Sequence, residues 1–366
     1  MTTTEGKALI NASHGKLSKK LPVFYNPVMK FNRDISISLL NALGKKSLRI
    51  ADPLAGSGVR AVRFMLELGK GIVEHLAIND YSSTAVAAIK KNFRKNKLPA
   101  GKVSFHCGDA SIFLLESSGF DYIDIDPFGT PNPFLDAAVK RIARDGILAI
   151  TATDIAALAG TAAKACRRKY WAEPLRNELM HDVGLRILIR KVQLVGVQYD
   201  KALFPVLALS RDHYYRIFFR CDKSKEACDD IVKQHQTLLF CSACRAFGFV
   251  KMCSCSVSPQ LAGPLWSGEL FDKKLLMKMK ANSSELESFL AIARREAAYS
   301  PPGFYDLHVI GGRHKVIPRT EFFIDTLKKN GFIAVPTHLS AHCVRTNASI
   351  KKINQLFFGR QSLQRN

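Results

Sequence analysis

A carboxylate, a proline and an aromatic ring follow one another at Asp126-Pro127-Phe128-Gly129. The residues before them, from Phe120, alternate acidic and large apolar side chains with the period of a β-strand, and the Asp-Pro pair is typical of a turn. At the carboxyl end of a strand, the carboxylate can accept hydrogen bonds from a planar amine while the ring stacks on its heterocycle. The tetrapeptide therefore predicts either catalysis on an aromatic amine or an ordinary strand end followed by a turn.

A glycine-rich turn lies upstream, in residues 52–58, between a short apolar strand and an amphipathic helix. The next apolar segment ends at Asp80. A strand, a glycine turn, a helix and a second strand with a terminal acid form the sequence pattern of a nucleotide-binding βαβ unit. In such a unit Gly56 and Gly58 let the backbone approach the ligand, and Asp80 accepts hydrogen bonds from the ribose hydroxyls.

Two cofactors could fit this unit, because residues 56–61 also match the dinucleotide-binding glycine pattern. Three acids favour S-adenosylmethionine over a nicotinamide cofactor. Asp52 ends the first strand, where a pyrophosphate site would gain from having no negative charge. Asp109 follows the third strand, where it can accept the adenine amino group, and Asp126 follows the fourth. Acids at four successive strand ends are more specific than one glycine motif.

Several segments together resemble the tRNA guanine-N(2)-dimethyltransferases, which act at guanine-26 of tRNA. The tetrapeptide at Asp126 is similar to the (Asp/Asn)-Pro-x-(aromatic) motif of amino-methyltransferases that use S-adenosylmethionine. The other segments that carry the resemblance are residues 22–34, 263–270, 302–308 and 337–347. The resemblance extends from about Glu5 to about Lys351 and implies an enzyme of this family.

The resemblance implies roles for residues around the target base. Asp126 would accept hydrogen bonds from the 2-amino group of guanine and act as the base. Phe128 would stack on the guanine or wall it, and Phe24 would form the opposite wall. Core packing is the alternative role for Phe24. Because the target lies within stacked tRNA, the base would be flipped out.

The resemblance also places Arg33 and Arg60 at the methionyl end of the cofactor. An arginine suits that carboxylate because it can pair with it through two hydrogen bonds. A solvent-facing helix position is the alternative for Arg60. The order of the strands assigns the other cofactor contacts: Asp80 binds the ribose, and Asp109 with the backbone of Ala110 binds the adenine.

The pattern of elements predicts an α/β fold. We expect a class I Rossmann-like methyltransferase domain at residues 1–222, with a parallel sheet and one late antiparallel hairpin, and a smaller α+β RNA-binding domain at residues 223–366. The 366 residues, 47% of them hydrophobic, suffice for two packed cores. Asp34 resembles the N-cap of a helix that ends near Leu43.

A formal net charge of +23 indicates a polyanionic partner, and the resemblance identifies it as tRNA. One basic cluster, in residues 164–169, precedes Tyr170 and Trp171. The sequence after Asp325 contains no acid, and its basic residues are Lys328, Lys329, Arg345, Lys351, Lys352, Arg360 and Arg365. Solvated lysine faces and an anionic membrane are the alternatives. No obligate protein partner is evident.

The chain shows no signal-peptide core near its first residues and no apolar stretch long enough to span a bilayer without charge. Together with nine cysteines, this favours a reducing cytoplasm and no membrane association. Four of the cysteines are close in sequence: Cys241, Cys244, Cys253 and Cys255. Their spacing predicts a structural zinc site, although the Cys-x-Cys pair is tighter than a usual knuckle. Buried thiols and an iron–sulfur or redox site are the alternatives.

Two further functions stay open at this point. An amino-methyltransferase acting on another RNA or DNA base would also need an Asp-Pro-x-aromatic motif. A tRNA-binding module without turnover would keep the fold, but it would have no need for an intact Asp126 and intact cofactor acids. The product, mono- or dimethylated, is not specified by these residues.

Overall fold

A computed structural model describes residues 2–11, 23–250, 253–312 and 317–358 of the chain. Within these ranges the strands, in chain order, are β1 (Thr2–Glu5), β2 (Ala8–Asn11), β3 (Leu48–Asp52), β4 (Val73–Asp80), β5 (Val103–Cys107), β6 (Phe120–Ile125), β7 (Ile142–Ala152), β8 (Lys201–Arg211), β9 (Tyr214–Lys223), β10 (His235–Phe240), β11 (Phe247–Gly248), β12 (Gln260–Trp266), β13 (Tyr305–Asp306), β14 (Ala334–Thr337) and β15 (Ser340–Thr346).

The α-helices of the same ranges alternate with the strands in the first half of the chain and separate the short sheets in the second. They are α1 (Lys30–Ala42), α2 (Val59–Glu67), α3 (Ser83–Lys95), α4 (Ala110–Glu116), α5 (Asn132–Arg141), α6 (Ile155–Leu158), α7 (Ala163–Tyr170), α8 (Met180–Val197), α9 (Lys225–Lys233), α10 (Lys273–Lys278), α11 (Ser284–Glu296), α12 (Leu307–Gly311), α13 (Thr320–Lys329) and α14 (Ile350–Phe358).

The central sheet has seven strands in the order β5-β4-β3-β6-β7-β9-β8. Strands β3 to β7 are parallel, whereas β9 pairs antiparallel with β7 and β8 pairs antiparallel with β9. The expected parallel sheet with a late antiparallel hairpin is confirmed. The chain moves outward from β3 to β5 and then crosses back to β6, so the strand order reverses between β3 and β6. In open α/β sheets such a reversal leaves a ligand-binding crevice at the carboxyl ends of the strands.

The helix before the central sheet corrects one expectation. Helix α1 begins at Lys30, four residues before Asp34, so Asp34 is not its N-cap. Asp34 is instead fully buried and accepts hydrogen bonds from Lys30 and Arg63, at 2.6 Å each. The interpretation failed because a capping residue and a buried acid within the first turns of a helix have the same local pattern.

The second half of the chain forms two small antiparallel sheets, of order β11-β10-β12 and β13-β15-β14, with helices packed on them. This is the α+β arrangement that we expected. The main hydrophobic core continues past residue 222 and includes Leu238, Trp266 and Phe304. A second core joins α13, α14 and β15 around Phe323 and Phe357. The domain boundary at residues 222 and 223 stays a prediction, since packing crosses it.

A buried ion network joins the two halves. Arg345 on β15 contacts Asp182 on α8 and Glu296 on α11, each at 2.8 Å, and all three side chains are fully buried. Although burial opposes ionisation, Arg186 and Arg345 hold the pKa of Asp182 below its usual range. Arg345 is thus a structural residue and not part of a basic RNA-binding surface. Arg360 and Arg365, from the same basic segment, lie outside the described residues.

Replacing Arg345 tests this junction. Arg345→Met should lower the free energy of unfolding by about 3–5 kcal/mol, because two buried carboxylates lose the cation that they share and keep only Arg186 and His338 as partners. Arg295→Met is the matched control, since Arg295 forms an exposed pair with Glu321 and should cost less than about 1 kcal/mol. Urea unfolding followed by circular dichroism measures both. Equal, small losses in the two variants would contradict a structural role for Arg345.

Candidate active site

A cavity of about 430 Å³ opens at the carboxyl ends of β3, β4 and β6, where the strand order reverses. Among the residues that the sequence predicted for the site, those that line it are Phe24, Arg33, Gly56, Arg60, Asp80, Asp126 and Phe128. The structure thus brings together the glycine turn and the acid-proline-aromatic tetrapeptide, which are about 70 residues apart in the chain. Asp52 and Thr153 also line the cavity.

Asp126 is held by the guanidinium group of Arg60. The Nη2 atom of Arg60 lies 2.5 Å from Oδ2 of Asp126, and its Nη1 atom lies 3.1 Å from Oδ2 of Asp124. Arg60 also donates to the side chains of Asn32 and Ser36, at 3.0 and 3.1 Å. Arg60 is buried, so a solvent-facing position for it is wrong. Since most of the N–H donors of its guanidinium group are bonded to oxygens of the protein, we infer that Arg60 orients Asp126.

A second arginine supports Asp124 from behind. Tyr122 and Asp124 share one face of strand β6, and Asp126 directly follows its last residue. The Tyr122 hydroxyl donates to Oδ2 of Asp124 at 2.6 Å. Arg216, on β9, donates to both oxygens of Asp124, at 2.9 and 2.7 Å. Burial alone would raise the pKa of Asp124, but Arg216 and Arg60 outweigh it and lower the pKa. Sequence reasoning did not assign Asp124 or Arg216, although the two-residue period of β6 places Asp124 beside Asp126.

Asp52 is the acid of this group that lacks such support. It ends β3, is 2% exposed, and its Oδ2 atom has no hydrogen-bond partner among the described residues. The pKa of Asp52 is raised to about 7, mainly by burial; Arg60 opposes this shift, and the nearby acids Asp124 and Asp126 add to it. A buried oxygen without a partner, on the wall of a cavity, suits a positively charged ligand.

The glycine turn and Asp80 form one unit. The backbone N–H of Gly56 donates to Oδ2 of Asp80 at 2.8 Å, and that of Ser82 donates to Oδ1 at 2.9 Å. A carboxylate has about four acceptor positions, so each oxygen can still accept a ligand hydroxyl. Gly56 has a positive φ of 54°, and a Cβ atom there would lie 3.0 Å from the carbonyl oxygen of Phe24. The glycine therefore permits this close approach of the segment that carries Phe24.

Gly58, Asp109 and Ala110 are not among the residues that line the cavity. A Cβ atom on Gly58 would lie 2.9 Å from the Ile89 side chain, so this glycine allows α2 to pack closely on α3. Asp109 caps α4 by accepting from the backbone N–H groups of Ser111 and Ile112, at 2.8 and 3.1 Å. It lies two residues beyond Cys107, which pairs with Asp80 in the sheet. The adenine contact stays a prediction.

The rings of Phe24 and Phe128 touch each other edge to face, with their centroids 4.3 Å apart. At that distance the two rings are in direct contact, and there is no space for a base between them, because a base would need a stacking distance to each ring. Phe128 is 45% exposed. In this arrangement a purine can enter between the rings only after one of them rotates away.

Arg33 is tied to the N-terminal hairpin. Its Nε and Nη2 atoms donate to the two oxygens of Glu5, at 2.6 and 2.5 Å, and Nη2 also donates to the carbonyl oxygen of Asn26 at 3.0 Å. Burial opposes the ionisation of Glu5, but Arg33 and Arg63 lower its pKa. Contact of Arg33 with a methionyl carboxylate stays a prediction, and it would need Arg33 to share its donors with Glu5.

The four clustered cysteines meet in space. The sulfur atoms of Cys241, Cys244, Cys253 and Cys255 all lie within 4.8 Å of one another. Four sulfurs around a tetrahedral zinc ion, at about 2.3 Å from it, are roughly 3.8 Å apart, so this set fits zinc. Hydrogen bonds, chiefly from the backbone N–H of Cys244, lower the pKa of Cys241 to about 6, whereas burial raises the pKa of Cys244 to about 12. The thiolate that a metal needs is thus favoured first at Cys241. The tight Cys-x-Cys spacing does not prevent the four sulfurs from converging.

Comparison with known proteins now decides the family. The sequence profile of the family described as N2,N2-dimethylguanosine tRNA methyltransferase matches residues 4–357. The chain belongs to this family. It is 37% identical over 357 residues to the tRNA (guanine(26)-N(2)/guanine(27)-N(2))-dimethyltransferase of Aquifex aeolicus, covering 92% of this chain and 90% of the relative. It is 36% identical over 380 residues to the tRNA (guanine(26)-N(2))-dimethyltransferase of Methanothermobacter thermautotrophicus, covering 98% and 99%.

A solved structure of a relative has the same fold. The complex of Trm1 from Pyrococcus horikoshii with S-adenosyl-L-methionine matches with a TM-score of 0.86 at 33% identity, over 98% of this chain and 99% of that one. The expected class I methyltransferase fold with an appended α+β part is confirmed. Among the described residues, no helix combines the length and the apolar character that crossing a membrane requires.

The unpartnered acid of the cavity leads to a prediction about pH. Because the folded-state pKa of Asp52 is about 7, against 3.8 ordinarily, the folded protein keeps a proton that the unfolded chain releases near pH 4. Stability is therefore lost as pH rises from about 4 to about 7. The free energy of unfolding of Asp52→Asn, relative to that of the parent protein, should therefore increase by roughly 1–3 kcal/mol as the pH rises from 5 to 8.

Urea unfolding at both pH values measures this gain. Asp136→Asn is the control for the loss of one acid, because Asp136 is exposed and lies outside the cavity lining. Parallel pH curves for the parent and Asp52→Asn would show that Asp52 is ionised in the folded protein like an ordinary acid.

The cysteine cluster leads to a prediction about metal content. Protein purified without chelators should contain about one zinc per chain, and Cys253→Ser should lower both the zinc content and the melting temperature. Cys107→Ser is the matched control, since Cys107 is exposed and lies outside the cluster. Elemental analysis that finds no zinc would leave the four residues as plain thiols, and finding iron would favour a cluster of another kind.

Proposed function

We propose that this protein transfers methyl groups from S-adenosylmethionine to the exocyclic 2-amino group of guanine-26 in tRNA. The observation that carries the proposal is the single cavity that holds Asp80 and Asp126, at the ends of β4 and β6, in a member of this family. Asp80 lies on the side of the glycine turn, and Asp126 lies beside the two phenylalanine rings. The cavity thus offers neighbouring places for a nucleoside cofactor and a planar base.

The residues of the cavity fit the cofactor. Asp80 would bind the ribose with its remaining acceptor positions, and Asp109 with the backbone of Ala110 would bind the adenine. The unpartnered oxygen of Asp52 suits the positive charges of the methionyl part. When it is bound, S-adenosylmethionine supplies a methyl group that is already activated by its attachment to a positively charged sulfur. The protein therefore needs to supply alignment and a place for the proton.

Asp126 is the proposed acceptor for the amine. The lone pair of the guanine 2-amino group is delocalised into the ring, which makes the nitrogen a weak nucleophile. A carboxylate that accepts hydrogen bonds from this amine increases the electron density on nitrogen, and it can take the proton that the nitrogen loses when its bond to carbon forms. Such a base contributes about 10²- to 10⁴-fold, and alignment of the reactants contributes on the order of 7–11 kcal/mol.

Access to the amine requires the target base to leave the tRNA stack. Extrusion of a base costs a few kcal/mol, which contacts with the enzyme must offset. Phe128 would stack on the guanine and Phe24 would wall the other side, after the two rings have separated. Phosphate contacts of the basic surface would supply the rest of the energy.

A neighbouring guanine is a second candidate target. The Aquifex aeolicus relative is named for both guanine-26 and guanine-27, whereas the Methanothermobacter thermautotrophicus relative is named for guanine-26 alone. The two possibilities differ only in which base enters the cavity. Transcripts of one tRNA with guanine-26 or guanine-27 replaced by adenine separate them by the methyl groups that each transcript accepts.

Two substitutions separate the proposed roles of the acids. Asp126→Asn should lower methyl transfer to tRNA at least about a hundredfold while cofactor affinity stays near that of the parent. Asp80→Asn should first raise the dissociation constant of S-adenosylmethionine, because the ribose loses its acceptor. Calorimetry measures binding, and mass spectrometry of digested tRNA identifies the methylated nucleoside.

Asp136→Asn again serves as the control and should match the parent in both assays. An Asp126→Asn variant that keeps most of its turnover would show that another group carries the chemistry. Methylation of adenine, or of a DNA substrate, in place of guanine would refute the proposed substrate. A parent protein that binds tRNA but transfers no methyl group would support the module without turnover.

A further inference from the structure

Helix α7 is attached to the loop that follows the catalytic tetrapeptide. The hydroxyl of Tyr170, at the end of α7, lies 3.0 Å from that of Thr130 and donates to Asp154 at 2.6 Å. The side-chain amide of Asn132 donates to the carbonyl oxygen of Lys169 at 2.8 Å. Thr130 directly follows Gly129, the last residue of the tetrapeptide. The helix is therefore fixed at the rim of the cavity.

The exposed side of α7 is basic. Its sequence, Ala163–Tyr170, contains four cations and no acid. Arg167 pairs with Glu173 at 2.6 Å, and Lys169 lies 3.4 Å from Asp154, so their charges are partly compensated. Lys164 and Arg168 are exposed, and no carboxylate of the described residues lies within ion-pair distance of them. These two are the strongest candidates for phosphate contacts.

Trp171 follows the helix in an unusual conformation. Its φ and ψ angles are 54° and 43°, the left-handed region that is rare for a bulky side chain. The residue is 54% exposed, although an indole gains more than most side chains from burial. This conformation ends α7 and leaves a large apolar ring more than half exposed, so packing in the core does not account for the position of the ring.

Two further cations lie behind this ring. The ammonium group of Lys191, a residue 6% exposed, lies 3.1 Å from the centre of a Trp171 ring. Arg190 donates to the carbonyl oxygen of Trp171 at 3.3 Å, and its buried Nε atom has no partner among the described residues. Burial lowers the pKa of both Lys191 and Arg190. Neither cation forms an ion pair with a carboxylate of the described residues, so their positive charge favours the approach of an anion.

We propose that Trp171 is a stacking platform for an unpaired base of the tRNA, beside the base that enters the cavity. This inference rests on the proposed function. Extrusion of the target base leaves its neighbours partly unstacked, and an exposed indole can stack on any base because every base has a π-face. Lys164 and Arg168 would bind the flanking phosphates, and Lys191 fixes the ring from behind. The exposed ring, the basic helix and its attachment to the tetrapeptide loop then serve one purpose.

Fluorescence gives a direct test, because the chain has only two tryptophans. Trp266 is 3% exposed, so quenching by added tRNA reports on Trp171. We expect tRNA to quench the emission of the parent protein and to protect it from acrylamide. Trp171→Phe, which keeps Trp266, should lose both effects. Unchanged emission of the parent protein at saturating tRNA would overturn the stacking role and would leave a protein partner as the use of this surface.

Affinity measurements complete the test. Trp171→Ala should raise the dissociation constant for tRNA on the order of tenfold, and Trp171→Phe should raise it less because it keeps an aromatic ring. Melting temperature and S-adenosylmethionine affinity should match those of the parent, which shows that the fold is intact. Equal tRNA affinity for the parent and both variants, with guanine methylation by the parent intact, would refute this inference alone. Absence of tRNA binding and methylation by the parent would instead refute the proposed function.

The salt dependence of tRNA binding tests the phosphate contacts. Replacing Lys164 and Arg168 together by alanine should reduce the slope of log affinity against log salt by roughly 1.4–1.8, since each phosphate contact contributes about 0.7–0.9. Lys91→Ala with Arg94→Ala, on α3, removes the same charge and is the matched control. A smaller, equal change in both double variants would show a general effect of charge and would overturn the assignment to α7.

Discussion

A buried guanidinium group between two carboxylates determines the geometry of the candidate active site. Arg60 comes from the first turn of α2, directly after the glycine turn, whereas Asp124 lies near the end of strand β6 and Asp126 directly follows it. Asp52 ends the adjacent strand β3, so three acids gather within a small volume. Like charges brought together in a poorly solvated place raise one another's pKa unless a cation compensates them. The glycine turn, the helix and both strands must therefore be in place together for Arg60 to hold Asp126 in its orientation.

Two of these acids show how position decides the state of a buried carboxyl group. Asp124 receives hydrogen bonds from Arg216 and Tyr122 and lies beside Arg60, which together outweigh the cost of burial. Asp52 is attracted by the charge of Arg60 without a hydrogen bond to it, and one of its oxygens has no partner among the described residues. The buried Asp52 thus lowers the free energy of unfolding, and the binding of a cationic ligand at this cavity wall would offset the loss. This feature distinguishes the wall of the cavity formed by the end of β3 from an ordinary hydrophilic cleft.

The positive charge of the chain is divided between buried arginines, which are paired, and cations that are exposed at the surface. Arg60, Arg63, Arg186, Arg216 and Arg345 are buried and paired, so they hold elements together and are not available to an RNA. A count of basic residues therefore overstates the electrostatic surface. The cations that remain exposed on α7, next to the cavity, are more informative than the total, because they combine charge with a fixed position and an exposed aromatic ring.

The sequence by itself determined the acids at the strand ends, the glycine turn, the tetrapeptide and the cysteine cluster. It could do so because the two-residue period of a strand fixes which side chains share a face, and parallel strands end at one edge of a sheet. Only the tertiary structure decided what the arginines contact, that Phe24 and Phe128 touch, and that one oxygen of Asp52 has no partner among the described residues. These contacts join residues far apart in the chain, 92 positions for Arg216 and Asp124 and 163 for Arg345 and Asp182. Local spacing carries no information about which of several acids meets which cation; packing of the whole sheet and its helices does.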